Sequence, residues 1–166
     1  SNSVITSVDL NDNNWHVTSA KWRSSDGNYE IWNDGTITSG TNGTGTLIST
    51  GGTLAIGGEQ DTVDGGYQES QAHQGDFSEV IIYNSYLNKA QQIIVSNYLA
   101  AKYNITLSDN NLVPLAAAGY YYEDVTGIGQ ADDGSFHLDA EGSGIIGIDS
   151  PSDLNNDEFI FVGREV

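Results

Sequence analysis

Few side chains of this 166-residue chain are spaced to do chemistry beyond holding a fold. Asp153-x-Asn155-x-Asp157 sets oxygen donors at i, i+2 and i+4, the opening spacing of a calcium loop and a candidate metal site. Glu158 then stands where such a loop needs glycine, and Arg164 takes the twelfth position in place of a bidentate Glu. A polar turn ahead of a strand accounts for the same residues. Trp15, Trp22 and Trp32 could offer a stacking platform for pyranose rings, against the commoner role of hairpin tryptophans in cross-strand or core packing. Tyr120, Tyr121 and Tyr122 cannot all be buried, because successive strand side chains alternate faces. Trp32 and Tyr121 are the candidate ligand contacts of these two groups. His16, His73 and His137 are scattered and give no zinc spacing.

Composition narrows the function classes. Five Lys and Arg against 23 Asp and Glu give a net charge of −18. That is too little positive charge to neutralise phosphates, so nucleic acid is excluded as a partner, and docking on anionic lipid is disfavoured. With no Cys there is no disulfide framework, thiolate metal site or Cys nucleophile. No Gly-x-Ser-x-Gly, phosphate loop or dinucleotide motif occurs, and no apolar run is long enough for a membrane span. The chain reads as non-catalytic, without membrane insertion. Many Gly, Thr and Ser without Cys suit a secreted or cell-surface protein of bacterial type, and the start at Ser1 reads as a segment of something longer.

The elements that must position these residues are mostly short strands. Residues 15–23 and Tyr29–Asn33 are rich in strand formers, with a turn cluster at Ser25–Asn28. Asp34-Gly35 predicts a tight hairpin into Thr36–Ser39, since both residues tolerate positive φ. Thr53–Ile56 predicts a short strand ended by Gly57-Gly58, and residues 59–76 a long polar loop carrying Glu59, Asp61, Asp64, Glu69 and Asp76. Phe77–Tyr83, apolar on both faces, predicts a central covered strand. Asn88 with Gln91 predicts a capped helix whose face carries Ala90, Ile93, Ile94, Tyr98 and Ala101, closed by Asn104 in the left-handed conformation. Short strands are expected at 125–129, 135–138, 144–148 and 158–162.

The order Trp15-His16-Val17, Ile31-Trp32-Asn33-Asp34-Gly35, Leu54-Ala55-Ile56-Gly57-Gly58 and Gly75-Asp76-Phe77-Ser78-Glu79-Val80-Ile81-Ile82-Tyr83-Asn84 resembles the laminin-G-like, concanavalin-A-like jelly roll of bacterial adhesin-type surface proteins. The resemblance implies an all-β, antiparallel jelly-roll sandwich with one packed α-helix. Residues 1–107 would be the jelly-roll part and 108–166 a β-rich extension packing on it. Strands that would normally precede Trp15 are missing, so another segment or chain would supply them. Jelly rolls of this kind often bind calcium at one rim, which nominates Asp61 and Asp64 of the long loop. Some are glycosidases, but their Glu-x-Asp-x-x-Glu strand is absent, and Glu79 has no carboxylate partner nearby in sequence.

The expected function is therefore adhesion or recognition outside the cell. Rim loops would bind glycan or a surface protein, with calcium as the possible cofactor. The alternative is a structural spacer or self-assembling unit of a surface fibre. Fold alone does not choose between them.

Overall fold

The computed structural model describes residues 9–45, 54–58, 61–62, 65–113, 122–142, 146–149 and 151–165. Strands β1 (Thr18–Trp22), β2 (Asn28–Asn33) and β3 (Thr36–Thr41) form an antiparallel meander. The β2–β3 turn is the two-residue hairpin that Asp34-Gly35 predicts: Asn33 pairs with Thr36, and φ is 46° at Asp34 and 90° at Gly35. Glycine is required at that corner twice over, because a Cβ on Gly35 would also lie 2.6 Å from the carbonyl oxygen of Asp109. Asp34 ties the corner back to the residue before β1. Its N–H donates to Val17 O at 2.9 Å, and its carboxylate accepts the Val17 N–H at 2.8 Å.

Helix α1 (Lys89–Tyr103) starts with the expected box: Asn88 accepts from the Gln91 N–H, and the Gln91 side chain accepts from the Asn88 N–H. It ends at Asn104, φ 54°. Apart from Ile93, small or amide side chains fill its buried positions, which lets it contact both sheets. The second sheet runs β5 (Phe136–His137), β4 (Tyr122–Gln130), β8 (Glu158–Glu165), all antiparallel. Ala90 and Ile93 of α1 pack with Trp32 of β2, Ala131 and Phe159, so one cluster joins both sheets through the helix. Ala101 meets Val125 and Phe161, while Ala100 meets Val17 and Leu107. A two-stranded hairpin, β6 (Asp139–Gly142) with β7 (Ile146–Asp149), completes the described part. The fold is all-β with one α-helix among the described residues.

Polar staples fix the helix. Asn97, 1% exposed, donates to Ile93 O and Asn110 O and accepts from the N–H groups of Leu112 and Val113. Lys21 reaches Glu30 at 2.9 Å and donates to Leu87 O at 3.0 Å. Burial alone would raise the Glu30 carboxyl, but Lys21, the Trp32 indole N–H and the Tyr86 hydroxyl hold it below its ordinary range.

Two expectations fail. Residues 54–56 and Phe77–Tyr83 form no strand. Phe77 and Ile82 are 55% and 67% exposed, and Val80, Ile81 and Tyr83 are also exposed. A strand exists through the hydrogen bonds of a neighbour, and among the described residues none pairs with this segment. β6 was hidden for the opposite reason: Asp-Ala-Glu-Gly has little strand preference and is held by its pairing with β7.

His16 sits between two carboxylates, with Nδ1 2.6 Å from Asp34 and Nε2 2.9 Å from Asp12. The hydrogen bond to Asp34, outweighing burial, together with that to Asp12 raises its pKa. Because the folded value lies above the free one, the clamp contributes fully below pH ~6.5 and is lost as pH rises through the raised value. The melting midpoint is therefore expected to fall as pH rises from about 6.5 through the raised value. His16→Gln should flatten the decline, and a titration of the His16 ring signals by NMR checks its cause.

Candidate functional site

The long loop closes on itself. His73 N–H donates to Gly57 O at 2.7 Å, pinning the start of the loop to its end, and the His73 and Phe77 rings lie 4.6 Å apart. Inside, Thr62 and Gly65 form an antiparallel bridge. Gly66, φ 76°, lets the backbone fold over Asp61, where a Cβ would fall 2.7 Å from the Asp61 Cβ. The reversal brings Gln68 onto Asp61, its amide donating to Oδ2 at 3.1 Å. A 3₁₀ turn, Glu69–Gln71, follows. Asp61, Gln68 and Glu69 are all exposed.

Residues 59–76 carry five carboxylates and no Lys or Arg. Carboxylate and amide oxygens are hard donors, the kind calcium takes in sets of six to eight. An amide that now donates to Asp61 presents its carbonyl oxygen to a cation after a half-turn of its end. In kind the donors fit calcium. Among the described residues no three acidic or histidine side chains converge, and the side chain brought onto Asp61 is the Gln68 amide rather than a second carboxylate. Glu59 and Asp64 lie outside the described residues, as does Tyr121.

The remaining candidates fall elsewhere. Trp32 is 2% exposed, its ring in the core cluster and its indole N–H on Glu30 at 2.8 Å, so it is no stacking platform. Strand alternation turned it inward, and Trp15, 52% exposed, is the outward ring. At Asp153, Asn155 and Asp157 the structure has a turn feeding β8. The backbone and side-chain N–H groups of Asn155 bond the Glu158 carboxylate, holding it below its ordinary range, and Glu158 N–H returns to Asn155 O. Glu79 accepts from Lys102 at 2.9 Å and from the hydroxyls of Tyr103 and Tyr98, anchoring the 77–83 segment to α1.

Gln68 is the loop residue that sequence reasoning passed over, and His73, weighed there only as a zinc ligand, instead closes the loop through its backbone N–H. The signal for Gln68 was the Gly65-Gly66 pair, which announces a tight reversal between Asp61 and whatever follows.

The model of the Pentaxin family matches residues 1–117. The chain belongs to the Pentaxin family. It is 34% identical to neuronal pentraxin-1 of Rattus norvegicus over 86 residues, 49% of this chain and 19% of that protein. It is 33% identical to the neuronal pentraxin receptor of Homo sapiens over 95 residues, 56% of this chain and 19% of that one. C-reactive protein 1.4 of Limulus polyphemus is 37% identical over 81 residues, 46% of this chain and 33% of that protein. The matched stretches thus span a third or less of these relatives' length. No solved structure matches significantly.

Pentaxin membership keeps the concanavalin-A-like sandwich of the resemblance, and the relatives found lend no support to its laminin-G and bacterial-surface specifics. Pentaxin-family proteins are secreted or extracellular binding proteins, and this chain is placed outside the cell with them. Among the described residues no helix is long and apolar enough to cross a membrane.

Proposed function

We propose that this Pentaxin-family chain is a non-catalytic extracellular recognition module whose loop 59–76 holds calcium and through it binds a glycan or a protein surface. The observation that carries the reading is the closed, purely acidic loop with Asp61 and Gln68 brought to 3.1 Å. Asp61, Gln68, Glu59 and Asp64 would hold the ion. Bound there, calcium would supply open positions for the hydroxyl, carboxylate or phosphate oxygens of a ligand. Residues 1–107 would form the recognition part and 108–166 an extension covering α1.

A glycan and protein array probed with calcium and with EDTA tests this. Binding should appear with calcium, vanish with EDTA and vanish in Asp61→Asn. Binding unaffected by both changes would refute the loop as the site.

The exposed apolar segment 77–83 favours a second reading, in which a further segment or chain adds strands to this part and the module assembles or spaces a larger structure. Sedimentation over a dilution series separates the two. A monomer throughout removes self-assembly.

A further inference from the structure

A cleft of about 460 Å³ opens between residues 12–16, the Asp34 corner and residues 103–106, just past the end of α1. Its apolar wall includes the half-exposed Trp15 ring and Ile105. Its polar end is Asp12 and Asp34, which face His16 from either side. Two carboxylates against one imidazolium leave a negative balance even with His16 charged. The C-terminal end of a helix adds partial negative charge, and α1 ends here. The cationic side chain of its last turn, Lys102, is engaged with Glu79 at 2.9 Å and with Tyr98, and among the described residues no Lys or Arg lines the cleft. The −18 charge of the whole chain deepens the potential.

We propose that this cleft, between Trp15 and the Asp12–Asp34 pair, is a second binding site, one that takes a lysine side chain of a partner protein. An anion is repelled by the cleft. A lysine is apolar along its stem and cationic at its tip, which matches a wall of Trp15 and Ile105 ending in carboxylates. The ammonium also gains from lying near an indole face. Asp12 and Asp34 keep acceptor capacity beyond the bonds they already make, since a carboxylate offers about four lone-pair sites. A neutral sugar could donate hydroxyls to the carboxylates but gains nothing from the net negative potential, whereas an ammonium gains from both. The site is separate from loop 59–76 and owes nothing to calcium.

The test is an NMR titration of the full chain in EDTA with Nα-acetyl-lysine methylamide. The Trp15 indole N–H and the amides of Asn104 to Thr106 should shift together, saturating in the millimolar range. The norleucine analogue, which lacks the ammonium, should leave them in place. Trp15→Ala should weaken binding about tenfold, and Thr106→Arg, at an exposed position, should abolish it while the rest of the spectrum is preserved. Equal shifts with norleucine, shifts confined to other residues, no shifts at all, or a glucose or glucosamine response without a lysine one would each overturn the proposal.

Discussion

Replacing Asn97 with Leu is expected to destabilise the fold by about 3 kcal/mol, although Leu is nearly isosteric and a better helix former. Asn97 is almost wholly buried and fully used. Its amide gives hydrogens to Ile93 O at 2.9 Å and Asn110 O at 2.8 Å, and its oxygen takes the N–H groups of Leu112 and Val113 at 2.8 and 3.2 Å. Leu would leave two donors and one connector carbonyl without their partner in a half-closed space, and the cost of unmade buried hydrogen bonds exceeds the gain in helix propensity. The connector 110–113 would lose its register on α1, and Val113, which packs against the Ala101–Val125 cluster, would be loosened with it. In a denaturant melt the midpoint should fall with the slope nearly unchanged. A change below about 1 kcal/mol would mean that water substitutes for the amide.

Gly129→Ala is the second large effect, about 3 kcal/mol, from a single methyl group. Gly129 on β4 stands directly opposite Phe159 on β8, and a Cβ there would overlap the ring's Cδ1. Gly127 faces Phe161 the same way, with 2.6 Å to its Cδ1. Each phenyl ring lies across the bare backbone of a glycine, and the two rings stack at 6.2 Å. Phe159 cannot swing away cheaply, because it also packs on the cluster of Trp32, Ala90 and Ile93. The double variant Gly129→Ala with Phe159→Leu should recover part of the loss, giving a coupling well beyond additive behaviour. If the two losses simply add, the ring and the glycine are independent.

Much of the fold was legible where local chemistry decides it. Asp34-Gly35 is a hairpin because only residues tolerant of positive φ turn a chain in two steps, and Asn88, Gln91 and Asn104 mark the ends of α1 for the same kind of reason. What the sequence hid depends on distant partners. Asn97 looks like an ordinary polar helix residue until the connector folds back onto it. The helix seemed to have one buried face, yet it meets Trp32 from one sheet and Phe161 from the other, so Gln92, Ser96 and Asn97 are buried as well. Phe77–Tyr83 carries the composition of a central strand, but composition cannot supply the neighbour that would pair with it. At the candidate site the acidity of loop 59–76 could be read directly, while the closure of Gly57 on His73 and the meeting of Asp61 with Gln68 could not, since both follow from the path of the loop. Of the tryptophans weighed as a stacking platform, Trp32 takes the commoner core role and Trp15 is the one left half-exposed, a choice that depends on where the helix packs.

Calcium in loop 59–76 has a thermodynamic consequence. Thermal melts of the full chain with millimolar calcium and with EDTA test it most directly, because an ion that binds only the folded state raises the midpoint by mass action. Calcium at about a hundredfold excess over its dissociation constant should add roughly 2.7 kcal/mol, and Asp61→Asn should remove the increase without changing the EDTA melt. Identical midpoints with calcium and EDTA in the unaltered chain would contradict the account.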